Sequence, residues 1–223
     1  MEQWPASAEE LVLRQAELAA AVWTPWRPKG RYTVGACFAC FEQGAPGPGA
    51  AGDRGFAAAV VDDASSFVEG SAPAAYEAGL LALREGPLLE AAVRALPTLP
   101  DVLIVDATGR DHARRAGLAI QLGAVLCVPT VGVTHRALYA TGDWPGAERG
   151  STSPLSLDSE RVGYWLRTRR GARPLAVHAA WRTGPEIAVE VVLTATERAR
   201  TPEPLRRART VARAGRAKTL AAT

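Results

Sequence analysis

Two kinds of hydrophobic pattern run along this chain. From Ser7, "SAEELVLRQAELAAAV" repeats apolar residues at helical spacing, with Ser7 suited to the N-cap and Glu10 to the capping-box position. "RYTVGACFACF" then reads as a strand, and the loop "EQGAPGPGAAGD" is too rich in Gly and Pro to extend it. "RGFAAAVVDD" is a second strand and "SSFVEG" a weaker third. Three consecutive strands with short connections predict an antiparallel meander. After them the pattern changes. "GLLALREGPLLEAAVRAL" predicts a long helix, interrupted or bent near Gly86-Pro87. "DVLIVD" is a short apolar strand ending on Asp106, "RAGLAIQLGAVLC" a helix and "PTVGVT" a strand. "GYWLRT" and "RPLAVHA" read as further strands, with "GPEIAVEVVLTATERAR" and "EPLRRARTVARAGRAK" as closing helices. A meander followed by alternating helices and buried strands predicts an α/β domain with a mixed central sheet flanked by helices.

A chain of 223 residues, 48% hydrophobic, suits a single domain spanning 1–223. No apolar run approaches the roughly 20 residues needed to cross a bilayer, so no membrane association is expected. The first residues are acidic and amphipathic, unlike a signal peptide, which makes the cytoplasm the expected compartment. Cys37, Cys40 and Cys127 form an odd set, against a disulfide framework and in keeping with a reducing environment. The net charge of +3 is modest but unevenly spread. Only Lys29 and Lys218 are lysines, and from Arg198 to Lys218 eight basic residues face a single acid, Glu203. Such a segment could contact phosphates, or be a solvated helix that frays from about position 210.

Two acids stand out by position. Asp106 closes an apolar strand, where α/β sheets collect their sites, although Asp also serves as a turn-former or helix cap. Glu85 lies among leucines in "LLALREGPLL" and needs a reason to be there. An arginine partner, Arg84 or Arg114, would be a structural one. Convergence with Asp106 on a hard cation such as Mg²⁺ or Mn²⁺ would be a functional one. No Gly-rich phosphate loop, zinc-spaced Cys/His cluster or Gly-x-Ser-x-Gly elbow is present.

The segments "YEAGLLALREGPLLEA", "VDATGRDHARRAGLAIQLGAVLCVPTVGVT", "RGSTSPL", "VGYWLRTRRGARPLAV" and "RTPEPLRRA" resemble, in order and spacing, the blocks of the endonuclease V family. That resemblance, from about Tyr32 to Arg209, implies an RNase H-like fold. It also implies Mg²⁺- or Mn²⁺-dependent cleavage one phosphodiester 3′ to a deaminated base, typically inosine, in DNA for some members and in RNA for others; DNA is the expected partner here and a monomer the expected state. It places the metal-binding glutamate at Glu85 and the central-strand aspartate at Asp106. The wedge tyrosine falls at Tyr76, and His112 and Arg114 match a substrate-binding stretch. Three positions depart from the pattern. Cys37 stands where the family has its first metal-binding aspartate, His135 where it has a lysine near the scissile phosphate, and Trp181 where it has a site histidine. Ala107, Thr108 and Gln121 also differ. His178 or Asp111 could compensate.

Cys37 and Cys40 therefore read as strand residues on opposite faces, neither a redox pair nor half a zinc site. A thiol is a poor ligand for Mg²⁺, so metal binding is expected to be weakened and cleavage severely impaired. The alternatives are a catalytically inactive nucleic-acid binder that keeps the Tyr76 wedge, and a protein-interaction module.

Overall fold

The computed structural model describes residues 4–42 and 47–222, so positions 43–46 of the Gly/Pro loop lie outside it. Helix α1 (Ala8–Ala20) begins as its pattern predicts, with Ser7 Oγ accepting the Glu10 N–H at 3.2 Å. The reciprocal bond from Glu10 goes one residue further back than a capping box requires, to the Ala6 N–H at 2.8 Å. Strands β1 (Val34–Phe41), β2 (Arg54–Val61) and β3 (Ala64–Ser71) form the antiparallel meander.

Helix α2 (Leu81–Arg94) runs through Gly86-Pro87 instead of breaking there. Proline costs a helix interior about 3 kcal/mol. Here Leu88, Leu89, Ala92 and Val93 are buried beyond it, which more than offsets that cost. Gly86 has its own reason: the Trp4 indole lies against it, and a Cβ there would stand 2.4 Å from the ring.

Strands β4 (Val102–Val105) and β5 (Thr130–Thr134) flank helix α3 (Leu118–Leu126) in sequence. Both are buried apolar runs, and β1, β4 and β5 pair in parallel. Strands β6 (Thr152–Leu157), β7 (Glu160–Leu166) and β8 (Leu175–Ala179) then extend the sheet in antiparallel fashion. The eight strands lie in the order β3-β2-β1-β4-β5-β8-β7-β6. The hydrophobic pattern does not mark β6, because this edge strand keeps only Leu155 fully buried and carries Pro154, which an edge tolerates. Asp158 and Ser159, both at positive φ, make the two-residue turn into β7.

Successive residues of the parallel strands face opposite layers. Cys37, Leu103 and Val105 pack under α2 and α3, and Ala36, Ile104 and Val131 pack on the other side. That second layer is made by α4 (Pro185–Thr194) and α5 (Glu203–Ala221). The segment expected to fray from about position 210 is helical to Ala221. It is held by an Arg216 bond to the Phe41 carbonyl at 2.9 Å and by Arg213 over the Phe38 ring. Among the described residues, no helix is long and apolar enough to cross a membrane.

Candidate functional site

Register places the first group of site residues. Cys37 on β1 pairs with Val105, the last residue of β4, so Asp106 leaves the sheet immediately beside β1. Glu85 comes down from α2. These three side chains, with Leu81 and Leu89, line a cavity of about 120 Å³. Arg84 and Arg114 are both committed elsewhere. Arg84 pairs with Asp53 at 2.7 Å, and Arg114 donates to Gln15 and to the Gly79 carbonyl. Among the described residues, neither pairs with Glu85. Burial first, and the Asp106 carboxylate second, raise Glu85 to about 7. The same two influences, with Glu85, push the Cys37 thiol up, so it is a neutral group at neutral pH. Cys37 is buried while Cys40, toward α5, is half-buried, and neither forms a disulfide.

Asp106 has a partner that sequence reasoning missed. Arg209 on α5 reaches across the sheet end and donates from Nη2 to Asp106 Oδ2 at 2.9 Å. The guanidinium also lies over the Phe38 ring, 5.5 Å from its centroid. His135, exposed just beyond β5, faces this group. Burial, then Arg200 and Arg209, lower its pKa, which leaves a neutral imidazole where a lysine would carry charge. Arg200 is fixed by the carbonyls of Arg173 and Pro174 at 2.6 and 2.8 Å. The cations here thus come from the basic C-terminal segment.

Next to the small cavity, and sharing Leu81 and Asp106 with it, opens a pocket of about 230 Å³. Tyr76, half exposed, stands on its rim opposite Leu138 and Tyr139, which are also exposed. Gln121 lines it from α3. Gln121 Nε2 donates to the Ala116 carbonyl at 3.2 Å, which leaves its buried Oε1 without a partner. The Tyr76 loop is pinned at Gly79, whose φ of +81° suits glycine. Three side chains donate to the Gly79 carbonyl: Gln15 at 3.0 Å, Arg114 at 2.9 Å and His112 at 3.1 Å. His112 Nδ1 accepts the Arg114 N–H, so its proton sits on Nε2 and the ring is neutral. Burial, then Arg114, lower its pKa in agreement. His112 and Arg114, matched by resemblance to substrate contacts, spend these donors on positioning the loop that carries Tyr76.

The remaining residues are not where a compensating ligand is needed. Asp111 is fully buried and its two oxygens accept the N–H groups of Leu138, Tyr139 and Ala140, each at 2.7 Å. Those bonds hold the segment that presents Leu138 and Tyr139. His178, also fully buried, meets Thr134 Oγ1 at 2.8 Å, and burial keeps it neutral despite Asp111. Trp181 lies at the far end of the sheet from Asp106. Strand β8 runs antiparallel to β5, so residues after Ala179 return to the start of β5, where Trp181 N–H bonds Thr130 Oγ1 and its ring packs on Trp23. Trp181 is therefore a half-buried residue packed against the core at that end and not a position of this site.

Among the described residues, no group of three or more His, Cys, Asp or Glu side chains is arranged to hold a metal ion. The donor chemistry agrees. A neutral buried thiol and an arginine-paired carboxylate are a poor set for a hard divalent cation, which prefers several free oxygens.

Comparison with known proteins bears on this geometry. Residues 54–210 match the endonuclease V family model. Endonuclease V of Streptomyces coelicolor is 38% identical over 216 residues, covering 95% of this chain and 91% of that protein. The crystal structure of endonuclease V from Streptomyces avermitilis superposes with a TM-score of 0.85 at 34% identity, covering 99% of this chain and 96% of that one. Endonuclease V of Ciona intestinalis, solved in complex with a 24mer DNA containing an inosine followed by a ribo-adenosine, has a TM-score of 0.74. It covers 95% of this chain and 98% of its own, and at 20% identity the likeness is one of fold. The mixed sheet with helices on both faces is thus the RNase H-like nuclease fold of these proteins, and the chain belongs to the endonuclease V family.

Proposed function

We propose that this protein recognises a deaminated base in DNA through the endonuclease V scaffold, acting as a monomer, while its divalent-metal cleavage is severely impaired. The observation that carries the reading is the environment of Asp106, with a neutral thiol at Cys37 on one side and the Arg209 guanidinium on the other. Hydrolysis by a bound Mg²⁺ or Mn²⁺ needs the ion to polarise a phosphate and supply hydroxide. The residues present do not fit that ion. What they do fit is binding. The pocket next to Asp106 offers apolar walls and one orphaned acceptor, Gln121 Oε1. Hypoxanthine, unlike adenine, carries an N1–H that such an acceptor can take. Tyr76 on the rim supplies a ring to stack in the gap a displaced base leaves, a contact worth about 1–3 kcal/mol. Arg200 and Arg209, the cations beside His135 and Asp106, would meet backbone phosphate. The DNA-bound Ciona protein of the same fold supports nucleic acid as the ligand.

The test uses a duplex with one deoxyinosine, its unmodified control and a matched RNA. The native protein should bind the deoxyinosine duplex preferentially in chelator and leave it intact with Mn²⁺. A Cys37→Asp, Arg209→Gln, His135→Lys variant, which restores a carboxylate and a mobile cation and frees Asp106, should gain nicking. Site-specific nicking by the native protein would overturn the impairment, and equal binding to all three probes would overturn the recognition.

A further inference from the structure

The end of the sheet opposite Asp106 carries a second collection of basic groups that this reading does not use. Residues 24–31 cross the starts of β1 and β4, and Arg182 arrives there after β8. Together they enclose a hollow of about 510 Å³ lined by Trp26, Arg27, Lys29, Arg31, Asp101 and Arg182. Among the described residues, none of its four cations lies within ion-pair distance of a carboxylate. Elsewhere on the surface, arginines such as Arg110, Arg115 and Arg206 are paired with acids. The one acid in the hollow is already engaged, because Asp101 Oδ2 accepts both the N–H and the hydroxyl of Thr33, at 2.8 and 2.9 Å.

The hollow is also built rather than loosely draped. Trp26 N–H donates to the Arg182 carbonyl at 2.7 Å, and Arg182 Nε returns a bond to the Thr24 carbonyl at 3.1 Å. Arg182 holds this position at a φ of +55°, a left-handed conformation that a side-chain-bearing residue adopts at a cost. The Trp26 ring is set edge-on against Tyr32 at 5.5 Å. The four cations outnumber the single Asp101 carboxylate beside an aromatic ring, and phosphate with an attached base matches both the surplus charge and the ring.

We propose that this hollow is a second anion site, taking the phosphate groups of a nucleotide, free or within a single strand, with the base against Trp26. It stands on residues separate from the Asp106 site, so it holds whether or not the cleavage reading does.

The experiment measures binding of the full chain to a labelled nucleoside triphosphate and to a labelled oligothymidylate single strand across a salt series. The key variant is Arg27→Ser, Lys29→Ser, Arg31→Ser, which leaves Arg182 and the backbone bonds of the strap in place; Arg170→Ser, at a surface arginine paired with Glu148 outside both sites, is the control. For the strand, the triple variant should weaken binding by about tenfold or more and lower the slope of log K against log salt by about 2, since each strand phosphate released contributes about 0.7. Arg170→Ser should leave both quantities unchanged. Loss with both probes assigns the site to nucleotides in general, and loss with the oligonucleotide alone assigns it to strands. Unchanged binding and slope in the triple variant would overturn the proposal.

Discussion

At the scale of residues, a carboxylate leaving the end of a buried strand needs a counter-charge, and Arg209 supplies it at 2.9 Å. Glu85 has no such partner and is held near 7 by burial and by Asp106. That displacement has a sign in stability. The folded protein keeps the Glu85 proton over a range where the unfolded chain has released it, so stability should fall as pH rises from about 4.5 through 7. A tenfold displacement of a proton equilibrium is worth about 1.4 kcal/mol, which puts the effect on the order of 3 kcal/mol. Urea denaturation in chelator checks it: Glu85→Gln should flatten the profile over that window, and an unchanged slope would refute the assignment. The orphaned acceptor makes a second expectation. Gln121→Leu should weaken binding to a deoxyinosine duplex about fivefold, the equivalent of one hydrogen bond near 1 kcal/mol, with little effect on unmodified duplex. Equal losses on both would remove Gln121 from base recognition.

At the scale of elements, the segment after β5 depends on one buried side chain. Asp111 satisfies three consecutive backbone N–H groups there, so Asp111→Ala should destabilise the fold by about 3 kcal/mol and speed amide exchange at Leu138, Tyr139 and Ala140 first. Uniform exchange across the chain would contradict that local role. Much of the element order was legible in the sequence. The meander, the apolar runs of β4 and β5 and the start of α1 follow directly from period-2 and helical spacing. What escaped did so for physical reasons. Strand β6 fully buries one side chain of its six and has no period to detect. Pro87 looked like a break because its cost is local, whereas the burial that offsets it comes from the sheet. Trp181 was expected at the site because a motif fixes order along the chain but not which end of a sheet an antiparallel strand delivers. Arg209 was one of eight basic residues in its segment, and only the docking of α5 singles it out.

At the scale of the molecule, the two ends of the sheet carry different groups. The end at Asp106 gathers the half-exposed Tyr76, the pocket with Gln121, and the cations of the C-terminal segment. The opposite end carries the basic strap and Trp181. Because phosphate contacts release counterions, binding at the Asp106 end should weaken with salt, and replacing Arg200 and Arg209 by Gln should lower the slope on duplex DNA by about 2. An unchanged slope would mean that these arginines serve the fold alone. The family's fold is retained, and the proposed function has the Arg209 guanidinium beside Asp106 stand in for a metal ion. The most direct test of that claim is the electron paramagnetic resonance signal of free Mn²⁺ during titration with protein. The native chain should leave the signal undiminished, and Cys37→Asp, Arg209→Gln should quench it. Stoichiometric loss of the signal with the native chain would contradict the account, since Asp106 and Glu85 would then hold the ion despite Arg209 and Cys37.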